Sequence, residues 1–302
     1  MTNSACPFTG SMVALVTPFR DGQVDFDALG RIVEGQITAG QKALIPCGST
    51  GESATLSHEE HTRVVAFVVE RAAGRVPVIA GTGSNSTSEA IRLTREAEAA
   101  GASGALLITP YYNKPSQDGL YQHYRAVAEG SHLPLIVYNI PGRTACTIET
   151  PTLARLAEIG NIVAVKESTG SLDRAMDAIA ACGSKMAVLS GDDSLTLPMI
   201  AMGAVGAISA AANVIPREMA ELANLALSGE WDQARRLHYR ILPLLRACFL
   251  ETNPIPVKAA MAMLGRCRDE LRLPLTPLTS APRETLRRAL QDLGLELRGA
   301  AA

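Results

Sequence analysis

Residues 135–166 hold the reading that decides the fold: Leu135-Ile-Val-Tyr-Asn139, then Thr150-Pro-Thr-Leu-Ala-Arg-Leu-Ala-Glu-Ile-Gly160, then Ile162-Val-Ala-Val-Lys166. The outer two are apolar runs of strand length with little polar alternation, as expected of strands covered on both faces. Between them, Thr150-Pro151 puts proline in the first turn of a helix, where its missing N–H costs little. Gly160 then closes that helix before the next strand. Strand, helix, glycine, strand spells a parallel pair joined by a crossover helix.

The same spelling extends in both directions. Apolar runs recur at 12–17, 43–47, 76–80, 105–109, 186–190 and 204–209, which with the two above makes eight. Ser57-x-x-Glu60 and Ser86-x-x-Glu89 read as capping boxes that satisfy orphan N–H groups at helix starts. Gly40, Gly74, Gly101, Gly130, Gly183 and Gly203 stand, like Gly160, where a helix stops before the next apolar run. Eight units favour a closed (β/α)8 barrel, a TIM barrel, over an open doubly wound sheet. An open sheet calls for a dinucleotide fingerprint, but Gly81-Thr-Gly83-Ser-Asn-Ser86 lacks the third glycine. Gly48-Ser-Thr-Gly51-Glu52 is no phosphate loop, because no Gly-Lys-Ser/Thr follows it.

After residue 228 the strand pattern ends. Helices are expected over 231–250, 256–265 and 283–293, separated by proline-rich joints. The expected division is therefore a catalytic barrel over 1–228 and a helical appendage over 229–302, the latter serving packing or assembly.

Composition limits what such a barrel does. At 302 residues, 47% apolar and 19% charged, the chain can bury a large core. A net charge of −2 without a basic stripe gives no case for nucleic acid. The cysteines Cys6, Cys47, Cys146, Cys182, Cys248 and Cys267 form no C-x-x-C pair and read as reduced, mostly buried thiols of a cytoplasmic protein. No basic segment leads into an apolar run at the N-terminus, so no secretory signal is expected. Residues 194–216 carry no charge and are long enough to cross a bilayer. They divide instead into a helix ending at Gly203 and a strand, so no membrane span is expected.

In such a barrel the chemistry gathers at the C-terminal ends of the strands. There lie Ser49-Thr50, Tyr111-Tyr112, Tyr138 with Arg143 in its loop, and Lys166. An ammonium facing inward at the end of an apolar strand is costly to desolvate, which favours its neutral, nucleophilic form. The competing reading is a lysine that snorkels to solvent or pairs with Glu167. Arg143 is either a fork for a substrate carboxylate or a solvated loop residue. Tyr138 is either catalytic or core, and the Gly48–Gly51 turn either holds an anion or merely turns. His58 and His61 have helical spacing but no third ligand, so no metal site is expected. His123, His132 and His238 read as surface residues. No serine–histidine–acid set assembles at the strand ends.

These residues, in this order, resemble the dihydrodipicolinate synthase and N-acetylneuraminate lyase family, pyruvate-dependent Schiff-base aldolases on a (β/α)8 barrel. The resemblance runs from Gly10 to Pro274. It rests on Gly48-Ser-Thr-Gly-Glu52, Pro110-Tyr-Tyr-Asn-Lys-Pro115, Tyr138-Asn-Ile-Pro141, Val165-Lys-Glu167 and Asn253-Pro-Ile-Pro-Val-Lys258. It implies that Lys166 forms an imine with pyruvate, that Tyr138 transfers protons, and that Thr50 relays them with Tyr112 from a neighbouring subunit. Pyruvate's carboxylate would rest on Ser49 and Thr50, with Gly191 and Ile208 also in the binding site. No cofactor is implied beyond the imine itself.

Arg143 matches the arginine that receives the carboxylate of L-aspartate 4-semialdehyde, which favours the synthase branch over the sugar-acid lyases. Ser49 departs from the common threonine but keeps a hydroxyl. The implied product is 4-hydroxy-tetrahydrodipicolinate, for lysine and diaminopimelate synthesis, and the implied assembly is a homotetramer. Other readings are a lyase for N-acetylneuraminate or a keto-deoxy sugar acid, or a catalytically silent binding protein. The resemblance also implies an L-lysine feedback site at Ser53, Ala54, His58, His61, Asn85, Glu89 and Tyr111. For Glu89, and for His58 and His61, roles in starting helices compete with it.

Overall fold

All eight apolar runs form strands in the computed structural model, which describes residues 6–298. They are β1 Gly10–Ala14, β2 Leu44–Ile45, β3 Ile79–Gly81, β4 Gly104–Ile108, β5 Leu135–Asn139, β6 Ile162–Glu167, β7 Ala187–Ser190 and β8 Gly206–Ser209. All pair in parallel, in the order β2-β1-β8-β7-β6-β5-β4-β3. A bridge from Leu44 to Val78, and the Gly81 N–H donating to the Pro46 carbonyl at 2.9 Å, bring β2 onto β3 and complete the ring. The fold is the (β/α)8 barrel expected from the repeat. A small hairpin, Phe19–Arg20 with Gln23–Val24, follows β1.

The first strand begins earlier, and the last later, than hydropathy alone suggests. The seam between them explains both shifts. Gly10 pairs with Gly206, and a Cβ at Gly206 would lie 2.2 Å from the Gly10 carbonyl oxygen. The bare Gly206 therefore lets β8 close against the backbone of β1 where a side chain could not fit.

The helices are α1 Phe26–Thr38, α2 His58–Ala72, α3 Thr87–Ala99, α4 Gln117–Glu129, α5 Pro141–Thr144, α6 Thr150–Leu156, α7 Leu172–Cys182, α8 Thr196–Met202, α9 Pro216–Leu227, α10 Trp231–Ala247, α11 Ile255–Met263 and α12 Ser280–Asp292. The capping box on α2 is complete: Glu60 N–H donates to Ser57 Oγ, and Ser57 N–H to the Glu60 carboxylate. Arg272 grips the same carboxylate with two N–H groups at 2.6 and 2.7 Å. That pairing is the main reason the Glu60 carboxyl is held down to about 2.

The second box does not form. Ser86 makes no side-chain cap on α3; Ser84 donates to Glu89 instead, at 2.5 Å. Of the stop glycines, Gly130 and Gly160 keep negative φ, while the others take positive φ. His123 and His238 are also not surface residues: both are buried, and of the three only His132 is exposed. Amphipathic helices present part of every turn inward, and the sequence alone does not mark which histidine falls there.

Strand side chains alternate between two apolar layers. Met12, Ile45, Ile79, Leu106, Ile136, Leu189 and Ile208 fill the barrel interior. Val13, Leu44, Leu107, Val137, Val165 and Val188 face outward into the helices. Burying each such side chain contributes roughly 1.5–3 kcal/mol before entropy is counted. Helices α10, α11 and α12 share the outer layer through Leu244, Val257 and Leu286. The uncharged stretch 194–216 folds as α8, β8 and short turns, and no described helix is long and apolar enough to cross a membrane. All six cysteines are buried and free.

Candidate active site

Strands β5 and β6 pair in register with Tyr138 beside Lys166, so both side chains point into the barrel at the same level. Lys166 is 6% exposed, and its Nζ lies 4.0 Å from the centre of the Tyr138 ring. Its neighbour Glu167 points the other way. The Glu167 carboxylate accepts from Asn139 Nδ2 at 2.9 Å and from the Thr169 N–H at 2.7 Å. Neither snorkelling nor pairing with Glu167 therefore accounts for Lys166.

Above these two lies a cavity of about 440 Å³. Of the residues expected at the site it gathers Ser49, Thr50, Tyr138, Arg143, Lys166, Gly191 and Ile208. Gly191 follows β7 and leaves room for the lysine. A Cβ there would lie 2.7 Å from Lys166 Cε, 2.9 Å from its Cγ and 1.9 Å from Ser168 Oγ. Asp193, buried in the same loop, accepts from the Ala211 N–H at 2.9 Å. Burial pushes its carboxyl up, against hydrogen bonds from Ser209 and Ala211 and the charge of Lys166.

The turn after β2 is braced from beneath and from the side. Gly51 N–H donates to the Gly48 carbonyl, and Thr17 Oγ1 donates to the Gly51 carbonyl at 2.7 Å. Glu52 takes a left-handed φ of 53° and is buried. Its carboxylate accepts from Lys258 Nζ at 2.6 Å, and both side chains are nearly free of solvent. Lys258 also donates to the Glu270 carbonyl and stands 4.1 Å above the Phe19 ring. A buried pair of this kind fixes geometry more than it adds stability.

Asn253 ties the turn to the mouth. Its Nδ2 donates to Thr50 Oγ1 at 2.9 Å, and its carbonyl accepts from Arg143 Nη2 at 2.6 Å. Arg143 is thereby aimed over the cavity from α5. Leu245, Arg246 and Phe249 also line the cavity. The appendage, expected only to pack or assemble, thus supplies part of the cavity wall. Asn253 and Lys258 bound a sequence motif, so a signal for them existed without a role. Arg246 had none.

Tyr112 stands apart. It is 89% exposed, has a left-handed φ of 71°, and does not line the cavity. Tyr111 lines a second cavity of about 630 Å³ with Ser53, Ala54, His58, His61 and Glu89. Asn85 joins it at one remove, donating from Nδ2 to the Tyr111 carbonyl at 3.2 Å. His58 Nε2 lies 3.3 Å from Glu89, and His61 Nε2 lies 2.8 Å from the Gly81 carbonyl oxygen. Burial pushes the His61 imidazole down. The two cavities share walls at Ser49, Tyr138, Arg143 and Asn253. No group of three His, Cys, Asp or Glu side chains among the described residues is placed to hold a metal.

The arrangement suits carbonyl chemistry: an amine, a phenol, a hydroxyl-bearing turn and a guanidinium face one space. The chain matches the model of the dihydrodipicolinate synthetase family over residues 7–293. It is 56% identical to the 4-hydroxy-tetrahydrodipicolinate synthase of Syntrophobacter fumaroxidans, over 95% of this chain and 99% of the relative. The crystal structure of dihydrodipicolinate synthase from Aquifex aeolicus is similar with a TM-score of 0.95 and 52% identity, covering 97% of this chain and all of the other. A lysine-bound structure from Cyanidioschyzon merolae has a TM-score of 0.91 and 40% identity, covering 95% of this chain and 99% of the other.

Proposed function

The chain belongs to the dihydrodipicolinate synthetase family, and from that premise we propose that Lys166 carries the reaction of a 4-hydroxy-tetrahydrodipicolinate synthase. This lyase condenses pyruvate with L-aspartate 4-semialdehyde in lysine and diaminopimelate biosynthesis. The observation that carries the residue assignment is Lys166 itself, buried at the cavity floor against Tyr138 and beside the Ser49–Thr50 turn.

Lys166 Nζ attacks C2 of pyruvate, whose carboxylate rests on the Ser49–Thr50 turn. Loss of water gives a cationic imine. That cation acidifies the methyl group, and loss of one proton from C3 gives an enamine. The C3 carbon then attacks the aldehyde carbon of the semialdehyde while Arg143 holds its carboxylate. The new alkoxide takes a proton delivered by Tyr138, with Thr50 and a neighbour's Tyr112 as relays. Finally the substrate's own amine attacks C2 and displaces Lys166, closing the ring and restoring the free amine. The chemistry uses no cofactor beyond the imine. It runs in a homo-oligomer, taken to be a tetramer, because Tyr112 projects from its own chain rather than into its own site.

Incubation with pyruvate, borohydride reduction and mass spectrometry test the assignment. The adduct is expected on Lys166, and an unlabelled Lys166 would overturn the mechanism. Ring formation on adding aspartate semialdehyde separates this reaction from sugar-acid cleavage.

The second cavity is proposed to bind L-lysine. The Glu89 carboxylate suits its amino groups, and the walls shared with the first cavity give a physical route to inhibition. Titrating L-lysine into the assay should lower the rate. Unchanged rates at millimolar lysine would remove this site from the account.

A further inference from the structure

The cavity above Lys166 is roofed by α10 and the residues that follow it. Arg246 lies on that roof, faces the cavity and is exposed. Its guanidinium makes no hydrogen bond or ion pair with any described residue. Nor does the helix need it for anchorage, since Ala234, Leu237, Ile241 and Leu244 are the buried residues that hold α10 to the core. An unpaired cation aimed at a reactive cavity has its charge available for a ligand. Arg143, by contrast, already spends Nη2 on the Asn253 carbonyl.

The charged lining consists of Lys166, Arg143 and Arg246 against one carboxylate, that of Asp192. Asp192 is partly occupied, because its Oδ1 accepts from the N–H and hydroxyl of Ser194. The reaction shifts this balance as it proceeds. Once the enamine has formed, Lys166 has lost its positive charge while pyruvate's carboxylate remains in the cavity. An acceptor bearing its own carboxylate then enters a space that already holds an anion, with Arg143 and Arg246 as the cations left to receive it.

We propose that Arg246 is a specificity-determining residue for the second half of the reaction, favouring acceptor aldehydes that carry a carboxylate. It acts from the α10 roof while Arg143 acts from the β5 side. The inference rests on the pyruvate imine proposed above.

The test compares the full-length enzyme with its Arg246→Gln and Arg246→Lys variants. First, each is trapped with pyruvate and borohydride in the absence of acceptor. Second, KM and kcat for aspartate semialdehyde are measured at saturating pyruvate and at two ionic strengths. Third, the methyl ester of the semialdehyde serves as an acceptor without the carboxylate charge.

Arg246→Gln should form the Lys166 adduct like the parent. Its KM for the semialdehyde should rise about tenfold with a kcat change within about twofold, and its kcat/KM should depend less on salt. Arg246→Lys should fall between the two, and the ester should react equally with all three. An unchanged KM and salt response would overturn the proposal. So would an equal loss for the ester, or a fall confined to kcat, which would make Arg246 a support for α10. Absence of the adduct in the parent enzyme would instead strike the imine assignment, so the two failures are distinguishable.

Discussion

Substituting alanine for Gly191 should inactivate the enzyme through one added carbon. The new Cβ would sit 2.7 Å from Lys166 Cε and 2.9 Å from its Cγ. Ordinary carbon contacts lie at about 3.5–4.0 Å, so the lysine stem must retreat by roughly 1 Å. The third collision, 1.9 Å with Ser168 Oγ, is easier to relieve, because that hydroxyl has no partner and can rotate. A displacement of about 1 Å at a reacting group costs on the order of 100-fold in rate. Overpacking of this kind costs about 1–3 kcal/mol of stability, which a domain of this size survives. The assay is the time course of borohydride-trapped pyruvate adduct, read beside thermal unfolding. Gly160→Ala is the control, since nothing lies within 4 Å of a Cβ at that position. A folded Gly191→Ala enzyme that forms the adduct at the parent rate would refute the idea that the absent side chain positions Lys166.

Other perturbations probe the scaffold. Lys258→Met strands the buried Glu52 carboxylate and should cost about 3–5 kcal/mol in urea unfolding, whereas Glu52→Gln with Lys258→Met should recover most of it. Equal losses in the single and double variants would contradict that account. His123 is buried, its Nε2 has no partner, and burial brings its pKa down to about 4. The unfolded chain therefore binds a proton at higher pH than the native one, so native stability falls as pH drops from about 6.5 towards 4. His123→Gln should flatten that limb by up to about 3 kcal/mol; an identical pH profile in the variant would exclude His123 as its source.

The barrel could be read because its signals are local. A buried parallel strand is apolar wherever it is cut, and helix stops fall on glycines within a few residues of it. Lys166 stood out for the same reason, as a charge ending an apolar run. What stayed hidden depends on distant pairs. Whether Ser86 or Ser84 meets Glu89 is decided by how the loop after β3 turns. That His123 is buried depends on what covers α4. The placement of Arg246 and Asn253 over the mouth requires the appendage to fold back across the strand ends, and no spacing in the chain encodes that distance. The family resemblance marks Gly191 as a binding residue, but what a side chain there would strike depends on Lys166 and Ser168, which lie on another strand and its loop.

Tyr112 holds a bulky side chain in a backbone conformation costing roughly 1–2 kcal/mol, with its phenol out in solvent. On the reading that a neighbour's site uses that phenol, no subunit is catalytically self-sufficient, and genetic lesions become shareable. A Tyr112→Phe chain keeps its lysine and a Lys166→Ala chain keeps its tyrosine. Mixed in one oligomer, these two crippled parents assemble some sites that are whole and others that carry both defects. Activity then reappears from inactive stocks on co-folding, and it fades on dilution as neighbours part.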